Sequence, residues 1–168
     1  MPGNRQVSME RDEDAVRDFT ERFAATLVEA GIPRMPALIF AALSATDSGR
    51  LTAADLATAL RASPAAVSGG VRYLTGLGMV IREREPGSRR LRYRVPDNVW
   101  DEVVGLQTRL MTRWAAVLRE GVAVLGPGTP AGVRMRDSVQ FFEFVAAEVP
   151  RVLDRWRKRE WTAGPADR

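Results

Sequence analysis

The chain has 168 residues, 45% of them hydrophobic and 27% charged, with a net charge of +4. That is about one ordinary globular domain, with enough chain to bury a core without staples. It has no cysteine and no histidine, which excludes disulfides, thiolate metal sites, thiol redox sensing, histidine ligands and the serine-histidine-aspartate triad.

Residues 1–11 read as a flexible tail. A helix is predicted over 12–32, where Val16, Phe19, Phe23, Leu27 and Ala30 recur at helical spacing and Gly31 with Pro33 ends the run. A second helix, Pro36 to Ala45, is apolar nearly all round and is therefore expected to be central. Asp47-Ser48-Gly49 is turn chemistry, and Arg50-Leu51 fits a short strand. Thr52 and Asp55 approximate a capping box for a helix over Ala53 to Leu60. Ser63 as N-cap and Pro64 at the first helical position open the next helix, 64–77, whose apolar residues are Val67, Val71 and Leu74. Two short helices joined by a tight turn make a helix-turn-helix.

Strands are predicted at Met79 to Glu85 and Arg90 to Val95, joined at Pro86-Gly87-Ser88. Pro96-Asp97 should end this hairpin and cap a long helix, whose apolar face carries Val103, Leu106, Leu110, Trp114, Val117 and Gly121. Gly126 to Pro130 is a breaker. The last helix, Ala131 to Glu160, has Phe141, Phe144, Val145, Val149, Val152 and Trp156 on one side. The fold class is thus mainly α with a small antiparallel β-hairpin wing. A winged helix-turn-helix core at 33–96 is flanked by an N-terminal dimerisation helix (12–32), two C-terminal dimerisation helices (97–161) and a tail at 162–168.

The cations are unevenly placed. Residues 61–94 hold 8 basic and 2 acidic side chains, a net of +6, whereas residues 1–60 carry −3 and residues 95–168 only +1. A concentrated basic block is the footprint of a polyanion site. With Val67, Val71 and Leu74 turned inward, helix 64–77 presents Ala65, Gly69, Arg72, Tyr73 and Gly76 outward, with Ser68 at the margin. The small residues would let the helix backbone sit deep in a major groove, and Arg72 can reach a guanine edge or a phosphate. Ser63, Ser68 and Tyr73 can donate to phosphate oxygens. Gly69-Gly70 admits two explanations, groove approach or close helix packing, and Tyr73 fits a core-edge position as well as a DNA contact. On the hairpin, Arg82 and Arg84 alternate on one strand while Arg89, Arg90, Arg92 and Arg94 crowd the other. Arg90, Arg92 and Arg94 are expected on one exposed face, and Arg89 and Arg90 are best placed to enter a narrow minor groove.

The flanking helices need cover for their apolar faces. A two-fold dimer through Phe19, Phe23, Leu27, Phe141, Val145, Val152 and Trp156 would provide it and would match two half-sites on DNA; packing within one subunit is the alternative. Trp100, Trp114, Trp156 and Trp161 fit either core packing or an aromatic cage for a quaternary ammonium.

The stretch Leu51 to Val95, "LTAADLATALRASPAAVSGGVRYLTGLGMVIREREPGSRRLRYRV", resembles the winged helix of the MarR family of bacterial transcriptional regulators. The runs Ala62 to Ser68 and Pro86 to Arg90 are similar to the branch that includes glycine betaine synthesis repressors. The resemblance implies an obligate dimer, a palindromic operator and often a small-molecule effector. It places Ser63, Ala65, Ser68, Gly69 and Arg72 on the recognition helix, and Arg89 and Arg90 on the wing.

The expected function is a dimeric, sequence-specific DNA-binding regulator, a repressor open to small-molecule control, with double-stranded DNA as partner. A winged-helix protein-interaction module with weak or non-specific DNA binding is the other reading. An enzyme is not expected: the pairs Asp12-Asp14 and Glu83-Glu85 lie on a tail and amid arginines, and no phosphate loop is present. No cofactor or metal is expected, and no membrane partner either, since no run of about 18 apolar residues occurs. The polar, acidic stretch Met1 to Glu13 has no apolar signal segment, so a cytoplasmic location is expected.

Overall fold

The structure, a computed structural model, describes residues 12–84 and 90–158. The predicted tails at 1–11 and 162–168, the hairpin tip with Arg89, and Trp161 lie outside the described residues. The chain forms two compact units divided between Asp97 and Asn98.

In the first unit, α1 (Glu13–Glu29) is capped by Asp12, whose carboxylate accepts the Asp14 and Ala15 backbone N–H groups at 3.0 and 3.1 Å. Acidic Glu13 and Asp14 suit the positive end of the helix dipole. The second helix, α2 (Arg34–Ala45), starts two residues before the predicted Pro36. Pro33 occupies the N-cap, and Pro36 is tolerated because a first-turn N–H has no intrahelical partner to lose. Its residues Ala37, Ile39, Phe40, Ala41 and Leu43 are almost wholly buried, as an all-round apolar helix requires.

The strand β1 (Arg50–Thr52) leads into α3 (Ala53–Ala59). Both halves of the capping box are present: Asp55 N–H donates to the Thr52 hydroxyl at 3.2 Å, and Thr52 N–H donates to the Asp55 carboxylate at 2.9 Å. The turn to α4 (Pro64–Gly76) runs through Arg61 at φ +48°, and Ala62 N–H closes on the Ala57 carbonyl at 3.0 Å. This is the left-handed helix-ending geometry usually taken by glycine. Ser63 caps α4, accepting from Ala66 N–H at 3.2 Å.

Gly70 faces α2. A Cβ there would stand 2.6 Å from Ile39 Cδ1 and 3.4 Å from the Pro36 backbone nitrogen, so α4 can lie on α2 only because this residue has no side chain. Gly69, its neighbour, has nothing within 4 Å of the same position. The two glycines are thus separated: Gly70 serves packing, and Gly69 faces open space.

The strands β2 (Ile81–Arg84) and β3 (Leu91–Arg94) complete a three-stranded antiparallel sheet in the order β1-β3-β2. β2 starts later than predicted. Met79 N–H is bound by the Leu74 carbonyl at 3.0 Å, and Met79 and Val80 are buried as core plugs instead of pairing.

The second unit is a pair of long helices, α5 (Val99–Leu125) and α6 (Pro130–Arg157). The predicted cap at Pro96-Asp97 is displaced to Asn98, which makes no side-chain bond to the helix backbone; its amide donates to Glu102 Oε1 at 3.2 Å. The turn is closed by Thr129, which accepts from Gly132 N–H at 3.0 Å. A Cβ at Gly132 would collide with the Gly126 carbonyl. Inside the hairpin, Trp114 packs edge-on against Phe142, with ring centroids 5.5 Å apart. At its open end, Arg157 Nε donates to Asp101 at 2.9 Å. Trp100 and Trp114 lie about four turns apart on α5, roughly 20 Å, so the tryptophans cannot form a single cage.

The Gly70→Ala variant is expected to lose about 1–3 kcal/mol to overpacking, offset in part by the ~1 kcal/mol helix preference of alanine. Gly69→Ala should gain that preference with no loss. Urea melts of the pair would measure the difference, and equal stability would contradict the assigned contact.

Candidate nucleic-acid interface

The outward face of α4 is made by Ala65, Ser68, Gly69, Arg72, Tyr73 and Gly76, all exposed. Its inward face is Val67, Gly70, Val71 and Leu74, all buried. Ser63 lies at the N-terminal end of the same helix, with its hydroxyl proton still available to donate. Arg72 has no ion pair among the described residues. Tyr73 is 39% exposed, so it is partly sheltered and still reaches solvent.

Strand register sorts the hairpin arginines onto two faces. Arg82 stands opposite Tyr93, and Arg84 opposite Leu91. These residues share one face with Leu51 of β1, and that face turns inward, since Tyr93 is buried. Arg82 and Arg84 sit on the edge strand and remain exposed, Arg82 with its guanidinium 5.9 Å from the Tyr93 ring centroid. On the other face Arg92 stands opposite both Thr52 and Glu83, and Arg94 opposite both Arg50 and Ile81. Arg92 and Arg94 do share a face with each other, but they are half-buried rather than exposed. Arg90 precedes β3 and is exposed.

Two carboxylates lie among these cations. Arg94 Nε donates to Glu83 Oε1, and Arg50 Nε lies 3.6 Å from Glu83 Oε2. The Arg94 hydrogen bond holds the Glu83 carboxyl below its ordinary range, against a smaller opposing effect of burial; the charges of Arg94 and Arg50 add to the lowering. Asp55 is lowered too, chiefly by the Thr52 backbone N–H, then by the Thr52 hydroxyl, with the Arg92 and Arg90 charges contributing. Sequence reasoning read Glu83 only as an acid amid arginines and Arg50 only as part of a short strand, and did not bring the two together. Period-two alternation places residues on a face, but only the pairing register sets Glu83 among arginines from two other strands.

The residues named for dimerisation fall into two groups. Leu27 is buried in the first unit, and Phe23 lies between Phe19 and Phe40, at centroid distances of 6.0 and 6.1 Å. Phe19, Phe141, Val152 and Trp156 are exposed, and Val145 is half-buried. Trp114, Val117, Val124 and Phe144 are also large and exposed. The sequence also gave no local signal for the Asp101–Arg157 pair, which raises the pKa of Arg157, first through their hydrogen bond. A cavity of about 830 Å³ opens in the first unit between α1, α2, β1 and α3, floored by Val16, Leu38, Ala42 and Leu51 and rimmed by Arg17 and Arg61. No helix among the described residues is long and apolar enough to cross a membrane.

A helix-turn-helix followed by a β-hairpin, with its second helix exposed beside a cluster of arginines, defines a winged-helix DNA-binding protein. Known proteins bear this out. A MarR-family model matches residues 30–91, and an MmpR5-like MarR family transcriptional regulator model matches residues 98–159. Each of the two units thus matches a model of the MarR family, a family of transcriptional regulators rather than enzymes. The HTH-type transcriptional regulator MmpR5 of Mycobacterium tuberculosis is 26% identical over 151 residues, covering 88% of this chain and 90% of its own. A crystal structure of a transcriptional regulator superposes with a TM-score of 0.78 at 23% identity, covering 86% of this chain and 99% of its own, and so shares the fold.

The capping box makes a testable pH dependence. The folded-state pKa of Asp55 lies below the ordinary aspartate value, so its stabilisation is fully present above that ordinary value and is lost as pH falls through the folded pKa. The Asp55→Asn variant should therefore be less stable at neutral pH, with the difference shrinking under acid. Thr52→Ala should cost about 1 kcal/mol. Thermal melts across pH 2–7 read both effects, and a pH-independent difference for Asp55→Asn would contradict the carboxylate's role.

Proposed function

We propose that the protein is a cytoplasmic, homodimeric repressor that reads a pseudo-palindromic operator. In this reading α4 enters the major groove, and the wing, residues 82–94, lies near the adjacent minor groove. The observation that carries the reading is the outward face of α4: Ala65, Gly69 and Gly76 clear space for a duplex, and Arg72 stands among them without an ion pair among the described residues. Ser63, Ser68 and Tyr73 donate to phosphates, Arg82, Arg84 and Arg90 supply charge from the hairpin, and Arg92 adds to the local potential.

Dimerisation is supported by the second unit. Two helices alone leave Trp114, Val117, Phe141, Phe144 and Val152 in water, a stripe that a second copy would cover. A two-fold pair would set two recognition helices about one helical turn of DNA apart. A small-molecule effector has room in the cavity between α1 and α3, whose apolar floor and charged rim suit an amphipathic molecule.

Selection from a random duplex pool at about physiological salt tests the reading directly. An enriched inverted repeat with half-site centres near one helical turn is expected. Retention without enrichment would leave only charge-driven binding, and no retention would favour the protein-interaction reading. The Arg72→Ala variant should lose about 1–3 kcal/mol on the enriched site and relax one position, if Arg72 reads a base; an equal loss on every sequence would make it a phosphate contact. The Phe144→Asp variant is expected to sediment as a monomer and bind the full site weakly, and an intact dimer would move the interface elsewhere.

A further inference from the structure

Glu83 occupies an unusual place for an acid in a basic hairpin. It belongs to β2, yet one carboxylate oxygen meets Arg94 of the neighbouring β3 and the other faces Arg50 on β1, a strand beyond. One side chain therefore ties the guanidiniums of two strands to a third. Exposed ion pairs contribute little to stability, and Glu83 and Arg50 are both solvent-accessible, with side-chain exposures of 33% and 51%. The same arginines would gain more from a duplex, since each phosphate neutralised releases condensed counterions. An intramolecular carboxylate competes for them with that phosphate.

Two other hairpin cations, Arg82 and Arg84, are held differently. Arg82 rests on the Tyr93 ring, which leaves its N–H groups free to donate. Arg84 is exposed and has no ion pair among the described residues. Arg82 and Arg84 are thus ready for an anion, whereas Arg94 on the opposite face of the hairpin and Arg50 of β1 are already held by one.

We propose that Glu83 is a positioning residue for DNA recognition, which withholds Arg50 and Arg94 from phosphates and leaves those contacts to other wing cations, Arg82 and Arg84 among them. The consequence is lower sequence-independent affinity, and so better discrimination between an operator and bulk DNA. This rests on the DNA-binding reading above.

The test measures binding of the full chain to a mixed-sequence duplex as salt is raised from about 50 to 200 mM, the range over which phosphate contacts dominate. The E83Q variant should bind this duplex several-fold more tightly, with a log K against log salt slope steeper by about 1–2 as one or two phosphates are added. Its preference for the selected operator over the mixed duplex should fall. The R94Q and R50Q variants should leave the slope unchanged, whereas R82Q and R84Q should each flatten it by about 0.9. An E83Q slope that is unchanged or flatter would overturn the proposal, as would flattening by R94Q. The R94Q result decides the matter if E83Q fails to melt cooperatively. Wild-type protein with no salt-dependent affinity for any duplex would instead remove the DNA-binding reading itself.

Discussion

The surface that α4 presents depends on how closely that helix lies on α2. Gly70 permits the approach, with Ile39 and Pro36 filling the space that a Cβ would occupy. α2 in turn is buried almost all round, so it acts as a fixed post. Once α4 is seated on it through Val67, Gly70, Val71 and Leu74, its opposite face has no choice of residues to expose. Ser63 and Pro64 set where the helix starts, and the turn through Arg61 sets the angle from α3. The position of Arg72 is thus a packing outcome in the first unit, read out at its surface.

Charge in the hairpin is organised by strand pairing in the same way. A count of arginines suggests a uniformly basic wing. The register instead sends Arg82 and Arg84 to one face and Arg92 and Arg94 to the other, where Glu83 and Arg50 join them. Because the effective charge of a binding surface is what remains after internal pairing, the wing is less basic than its composition. Selectivity for a sequence over bulk polyanion benefits from that restraint, since phosphate contacts carry affinity without sequence information.

The C-terminal unit follows a different logic. A turn that Gly132 makes possible and an Asp101–Arg157 pair at the opposite end hold its two helices together. Two helices have only one mutual seam, so hydrophobic residues elsewhere on their circumference stay exposed. Phe144 and Val117, both about two-thirds exposed, are cases in point. The apolar excess is thus a geometric consequence of a two-helix hairpin that carries more than one apolar stripe.

Much of the fold was legible in the sequence because its signals are local. Helical spacing marked α1 through Phe23 and Leu27, the Thr52–Asp55 box and Ser63-Pro64 marked the starts of α3 and α4, and alternation marked β3. The outward face of α4 followed from helical geometry alone. Local signals misjudged some ends of elements: Met79 and Val80 look like strand but are drawn into the core, and the expected cap before α5 moved to Asn98. The sequence by itself determined the order of elements, the inward and outward faces of α4 and the presence of a basic block, because these depend on residues within a turn or two of each other. Only the tertiary structure decided that Gly70 packs while Gly69 does not, and which arginines Glu83 holds. Those outcomes depend on atoms brought together from separate elements, where chain spacing carries no information about distance.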